Sequence, residues 1–224
     1  MSTYQSVGSE GDIALDRSTY IRAIAIATAF MIAVLGAGAQ LTWTWAMSWP
    51  LLLGSFFGAL ACIFLYKGSD NPIVSALGVS GMSFLLGMQV GPLLGMYAAL
   101  YKGIVMQALL ITGGVMGSMS AAGILMPVFF EGFGPFLMAG LWTLIWVQFG
   151  QIILGLCGFT AALNVPIITW AGILLFALFV AWDWTVALRL PHTLDNAIDA
   201  SGNFVLDFVN LLIRILRVLA DAKK

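Results

Sequence analysis

The sequence predicts an all-α, polytopic membrane helix bundle. Hydrophobic residues make up 61% of the 224 and charged residues only 8%, with a mean hydropathy of +1.02. A soluble domain carries about 25% charged residues, and no water-soluble fold of this length could hide so much apolar surface. The apolar residues also fall into runs of bilayer length, since a helix crossing the hydrocarbon core needs about 20 of them. A net charge of -1 gives a nucleic acid nothing to bind.

Residues 1–16, "MSTYQSVGSEGDIALD", are polar and acidic and lack the basic start and short apolar core of a cleavable signal peptide. They read as a disordered leader, which makes the first apolar run a retained signal anchor. That run covers 20–41, with Asp16 or Ser18 as its cap. The second covers 49–66 and stops at the turn-rich "KGSDNP". The third spans 73–94, the fourth 104–126, the fifth 133–159 and the sixth 165–188. A seventh run, 204–219, is shorter and is interrupted by Asp207, Asn210, Arg214 and Arg217. The organisation is thus a leader, one helical bundle over 17–219, and a short basic tail over 220–224.

Glycines are frequent within the runs: "GAGA" at 36–39, Gly78, Gly81, Gly87 and Gly91, and "GGVMGSMSAAG" from 113. Helices in lipid gain little from apolar contact alone, so small residues that let backbones approach are expected at helix interfaces. "GSMSAAG" is no phosphate loop, because no strand precedes it and no lysine follows. Trp43, Trp45, Trp49, Trp182 and Trp184 fall near run ends, as interfacial anchors do. Cys62 and Cys157 both lie in apolar runs and read as packed free thiols.

Lysine and arginine set the orientation. With the N-terminus in the cytoplasm, Arg17, Arg22, Lys67 and Arg189 face inward and Lys102 outward. A fully crossing seventh run would leave four basic residues inside and five outside, which gives no preference. A seventh segment that stops short of the far interface gives eight to one, and the N-in arrangement follows from that preference.

Few ionisable groups remain in the apolar body. Lys67, Asp70, Lys102 and Glu131 fall at loops. His192, the only histidine, sits in the polar link "RLPHTLDNAIDASGN" and reads as solvated; one histidine makes no zinc site. Asp195 and Asp199 in that link read as turn and cap residues, with Ser201 or Asn203 opening the last helix. Asp183 and Asp207 are different, because each lies inside an apolar run. Their runs are antiparallel around a short link, and at 1.5 Å of rise per residue both carboxyls sit about one turn below the same interface. They are placed to meet. Intramembrane acids face a protein interior or an aqueous cavity and mark ion or proton routes. Two touching carboxylates cannot both ionise cheaply, so they share a proton and titrate as a unit. Deprotonated, they are also hard oxygen ligands for Ca²⁺. The plain alternative is a pair of interfacial acids, or one acid paired with Arg189 or Arg214.

The stretch "DNAIDASGNFVLDFVNLLIRILRVL" resembles the C-terminal signature of the transmembrane Bax-inhibitor-motif family, an aspartate-containing helix followed by an Asn-Leu-rich, arginine-bearing segment. The opening "STYIRAIAIATAFMIAVLGAGAQL" is similar to that family's first helix. The resemblance implies six spans around a central C-terminal seventh helix, and a pH-sensitive Ca²⁺ leak. It implies that Asp183 and Asp207 form the proton-sensing gate, and that a basic residue after the second helix latches it, for which Lys67 is the nearest candidate. Arg214 is a second candidate latch. The loop after the fourth helix departs from the family pattern: it reads "SAAGILMPVFFEGFGP", with Glu131 as its one charge.

Three functional classes follow. The first is the gated Ca²⁺ pathway, with the bilayer, Ca²⁺ and protons as its partners and no cofactor. The second is an aspartyl protease, but neither "VAWDW" nor "FVLDF" carries the Gly-x-Gly-Asp element such enzymes use, so no enzyme is expected. The third is a non-conducting membrane regulator or scaffold, a cell-survival or stress modulator acting through membrane-protein partners, with a basic tail suited to anionic lipid.

Overall fold

The computed structural model describes residues 13–159 and 165–223. Eight helices form among them: α1 (Arg17–Thr42), α2 (Trp49–Lys67), α3 (Pro72–Leu100), α4 (Ile104–Leu125), α5 (Pro127–Glu131), α6 (Gly134–Leu156), α7 (Pro166–Ala187) and α8 (Leu194–Asp221). Six of them, all but α5 and α8, are long and apolar enough to cross a membrane. The protein is a multi-pass helical membrane protein. Its outward apolar side chains fit that setting: Phe136, Trp142, Trp146 and Phe149 of α6 are all exposed, as lipid-facing residues are.

Local chemistry fixes the helix starts. Asp16 caps α1 by accepting from the Ser18 and Thr19 amides at 2.9 and 3.2 Å. Asn71 accepts from Ile73 N at 2.9 Å ahead of Pro72, the first residue of α3. Gly103, at φ +76°, supplies the left-handed residue between α3 and α4 that a side chain would strain.

The described residues form two compact units. One holds α1, α2, α3 and 187–206; the other holds α4 to α6, α7 to Val186, and α8 from Asp207. In the first, α3 lies against α1 backbone to backbone. A Cβ at Gly87 would strike Leu35 O, one at Gly91 Ala39 O and the Thr42 hydroxyl, and one at Gly95 Trp43 O. Thr42 Oγ1 donates across this contact to Met88 O at 2.9 Å. The close approach is the small-residue packing that lipid favours. Not every glycine serves it: Gly36, Gly113, Gly114 and Gly117 have nothing within 4 Å of where a Cβ would stand.

Several expectations need correcting. Residues 13–16 of the leader are tied down, with Leu15 N donating to His192 O at 2.7 Å and Leu194 N to Ile13 O at 2.9 Å; residues 1–12 lie outside the described set. α8 begins at Leu194 rather than at Ser201 or Asn203, opened by Thr193 Oγ1, which accepts from Asn196 N at 3.3 Å. Asp195 and Asp199 are therefore helical, not turn residues. His192 is half-buried, stacked on Tyr20 with ring centroids 4.6 Å apart, and Trp184, expected at the interface, is core. Of the two free thiols, Cys157 is exposed and only Cys62 packs within the unit, against Gly81.

With the earlier start, α8 has 28 residues and a length of about 42 Å. Eight of its polar residues recur every three or four positions: Asp195, Asp199, Asn203, Asp207, Asn210, Arg214, Arg217 and Asp221. At 100° per residue they fall within about 120° of arc, one continuous polar stripe. The remaining faces supply core side chains such as Phe204, Val205, Phe208, Leu211, Leu212 and Leu216.

Candidate functional site: buried acids and a buried arginine

Asp183 lies one turn before the end of α7, and Asp207 lies 13 residues past Leu194 in α8. They are 8% and 5% exposed, far less than a carboxyl normally tolerates without partners. Both belong to the second unit. The charged neighbour acting on Asp207 is Asp183, and Asp207 Oδ2 is buried with no hydrogen bond. An unsatisfied buried oxygen costs about 1–3 kcal/mol.

The turn of α7 carrying Asp183 is enclosed by elements around the α4–α6 connection. Gly123 near the end of α4 abuts the Ala181 backbone, leaving no room for a Cβ. At Gly134, the start of α6, a Cβ would stand 2.9 Å from the Trp182 indole nitrogen. Between them Pro127 opens the five-residue α5. Thr185 Oγ1 donates to Ala181 O at 3.2 Å, with Pro127 O at 3.4 Å. Trp184, on the other flank of Asp183, is 4% exposed. These small residues are the part of the site that sequence reading missed, although "SAAG" and "GFGP" carried a glycine signal.

Arg214 lies two turns beyond Asp207 on the same stripe, in the same unit, and is 6% exposed. Its guanidinium carbon stands 5.4 Å from the Phe176 ring centroid, a cation–π contact. The guanidinium also occupies the space beside Gly172, 2.5 Å from where a Cβ would be. A side chain at 172 would have to displace it. Arg214 Nε is buried without a hydrogen-bond partner.

Lys67 belongs to the other unit, and its ion pair there is with Asp199, Nζ to Oδ2 at 3.9 Å. Asp70 and Lys102 are exposed, as expected of loop residues, and Glu131 is exposed as well but closes α5 rather than lying in a loop. An apolar groove of about 530 Å³ between α6 and α7, lined by residues such as Phe136, Gly140, Leu144, Leu175 and Leu178, holds no charged side chain and is no ion site. Among the described residues no three His, Cys, Asp or Glu side chains gather to hold a metal ion.

A family model described as Bax1-I, inhibitor of apoptosis-promoting Bax1, matches residues 17–224. The chain belongs to this family. The match starts at Arg17, the first residue of α1, and takes in all eight helices with Lys67, Asp183, Asp207 and Arg214. Among curated proteins no sequence matches it. Membership of the Bax1-I family agrees with the signature in the C-terminal stretch and with the count of apolar helices.

Proposed function

We propose that this Bax1-I protein forms a pH-sensitive Ca²⁺ leak pathway gated by Asp183 and Asp207. One observation carries the reading: two carboxyls from different helices are buried in one apolar unit, and the charge of one acts on the other. Two such groups share protons and titrate as a pair. With a proton between them they hold α7 and α8 together. Without it they repel, and Arg214 is the nearer of the two cations along the same helix stripe that can take up the negative charge. A helix biased between two positions by a proton is a switch of a general kind. The bare carboxylates also present the hard oxygen that Ca²⁺ prefers, as a passing contact rather than a resident site. The balance of basic residues supports a cytoplasmic N-terminus.

The test is Ca²⁺ flux into proteoliposomes across a pH series, with Asp183→Asn and Asp207→Asn beside the wild type. Loss of the pH response in both variants supports the gate. An unchanged pH profile in both rules it out. A second reading draws on the family description, which names inhibition of an apoptosis-promoting protein: the bundle is a non-conducting regulator that acts by binding membrane partners. Liposomes carrying the pure protein and remaining tight to Ca²⁺ at every pH favour that reading.

A further inference from the structure

We infer that Asp199, held between Lys67 and Ser75, is a second proton-binding site, independent of the Asp183 and Asp207 pair. It lies in the first unit, where the end of α2, the start of α3 and the first turns of α8 come together.

The geometry is that of a boundary site. The Lys67 side chain is 45% exposed and that of Asp199 17%, so the ammonium reaches water while the carboxyl is largely enclosed. Asp199 Oδ2 faces the ammonium at 3.9 Å, too long for a hydrogen bond. Asp199 Oδ1 is buried with no hydrogen-bond partner. Ser75, fully buried on α3, turns its hydroxyl toward this carboxyl, yet no hydrogen bond satisfies the hydroxyl either.

The charges around Asp199 pull in opposite directions. Lys67 from α2 and the Ser75 hydroxyl from α3 favour the ionised form, while Asp195 on α8 and Asp70 in the α2–α3 loop oppose it. From α1, Tyr20 feels the Asp199 charge, and its own hydroxyl is engaged with Ala187 O at 3.2 Å. Burial outweighs the lysine and pushes the Asp199 carboxyl up to about 6. The ligand is a proton and not a metal ion, since an ammonium already occupies the open side of the carboxyl. On protonation the Asp199 negative charge is lost, Lys67 loses its counter-charge, and the exposed ammonium is released to water. The proton comes from bulk solvent and nothing else is exchanged.

Infrared difference spectra of the full chain in lipid nanodiscs, titrated through pH 6, read this proton directly as the protonated-carboxyl C=O band. Wild type minus Asp199→Asn should isolate a band with its midpoint near 6. Lys67→Met should raise that midpoint by less than about one pH unit, the worth of a partly exposed ion pair, and Lys67→Arg should leave it in place. Asp195→Asn should lower it. If Asp199→Asn does not fold, the opposite shifts in Lys67→Met and Asp195→Asn, read in folded protein, decide the matter. An unchanged band in Asp199→Asn, or a midpoint that neither Lys67→Met nor Asp195→Asn moves, overturns the inference. No Ca²⁺ is present, so failure of the leak reading leaves this result standing, and failure here leaves the leak reading standing.

Discussion

Two acids on one helix stripe meet opposite company. Asp199, in the first half of α8, has a lysine 3.9 Å away and a route to water. Asp207, two turns later on the same face, has another aspartate as its charged neighbour and a buried oxygen without a bond. The spacing along α8 is regular, so the helix itself does not distinguish them. What does is the neighbour each unit supplies: the polar end of α2 for Asp199, and the sealed end of α7 for Asp207. An acid paired with a cation is a local contact. An acid beside an acid is a costly arrangement, and the proposed gate draws on that cost.

The largest effect that would break this comparison is on flux. If the pair in the second unit is the gate, Asp207→Asn removes a titration capable of changing populations about tenfold per pH unit, and the flux profile flattens. Asp199→Asn should retain the slope. Equal flattening by both variants would mean the two acids act as one system, and the contrast drawn between them would fall.

A smaller effect concerns Arg214. Gly172→Ala puts a methyl where the guanidinium lies, and overpacking of that kind costs about 1–3 kcal/mol. Thermal unfolding in detergent should show the loss. Gly117→Ala, with open space at its Cβ position, is the control and should stay within about 0.5 kcal/mol. Equal behaviour of the two would show that Arg214 has another resting place.

The same comparison marks how far the sequence reaches. The six crossing helices were legible because apolar runs of bilayer length have few other uses, and the acids at 183 and 207 were legible because charge inside such runs is rare. The start of α8 was not. Asp195 and Asp199 are good turn formers, whereas their four-residue spacing with Asn203 and Asp207 is the helical signal that prevails. α5 escaped because five residues after a proline show no periodicity. The pairing of Lys67 with Asp199, 132 positions along the chain, and the bed of Gly172 under Arg214 are products of packing. No local pattern announces them.

A pH scan of stability sharpens the contrast further, with the sign set by where each proton binds. Asp199 titrates at about 6 in the folded protein, against 3.8 as its ordinary value. The folded state therefore holds the proton more tightly. Its contribution to stability is fully present below 3.8 and is lost as the pH rises through 6. Wild type should gain thermal midpoint over Asp199→Asn as the pH falls across that window. A gap that narrows on acidification would mean the lysine outweighs burial.

The smallest effect is at Asp16, an acid of the same unit with the opposite sign. The hydroxyl and amide of Thr19 and the amide of Ser18 hold its carboxylate below 3.8, despite a small opposing effect of burial. Its contribution is present above 3.8 and fades only as the pH falls through the lower folded value. Asp16→Asn should be almost silent at neutral pH, because asparagine caps a helix as well as aspartate does, and it should remove the acid-side loss. Asp16→Ala should lower the thermal midpoint at neutral pH and approach wild type only in strong acid. The two acids then separate cleanly on one axis: acidification helps the protein through the partly buried Asp199 and hurts it through the exposed cap, because enclosure favours the neutral form and donated hydrogen bonds favour the charged one.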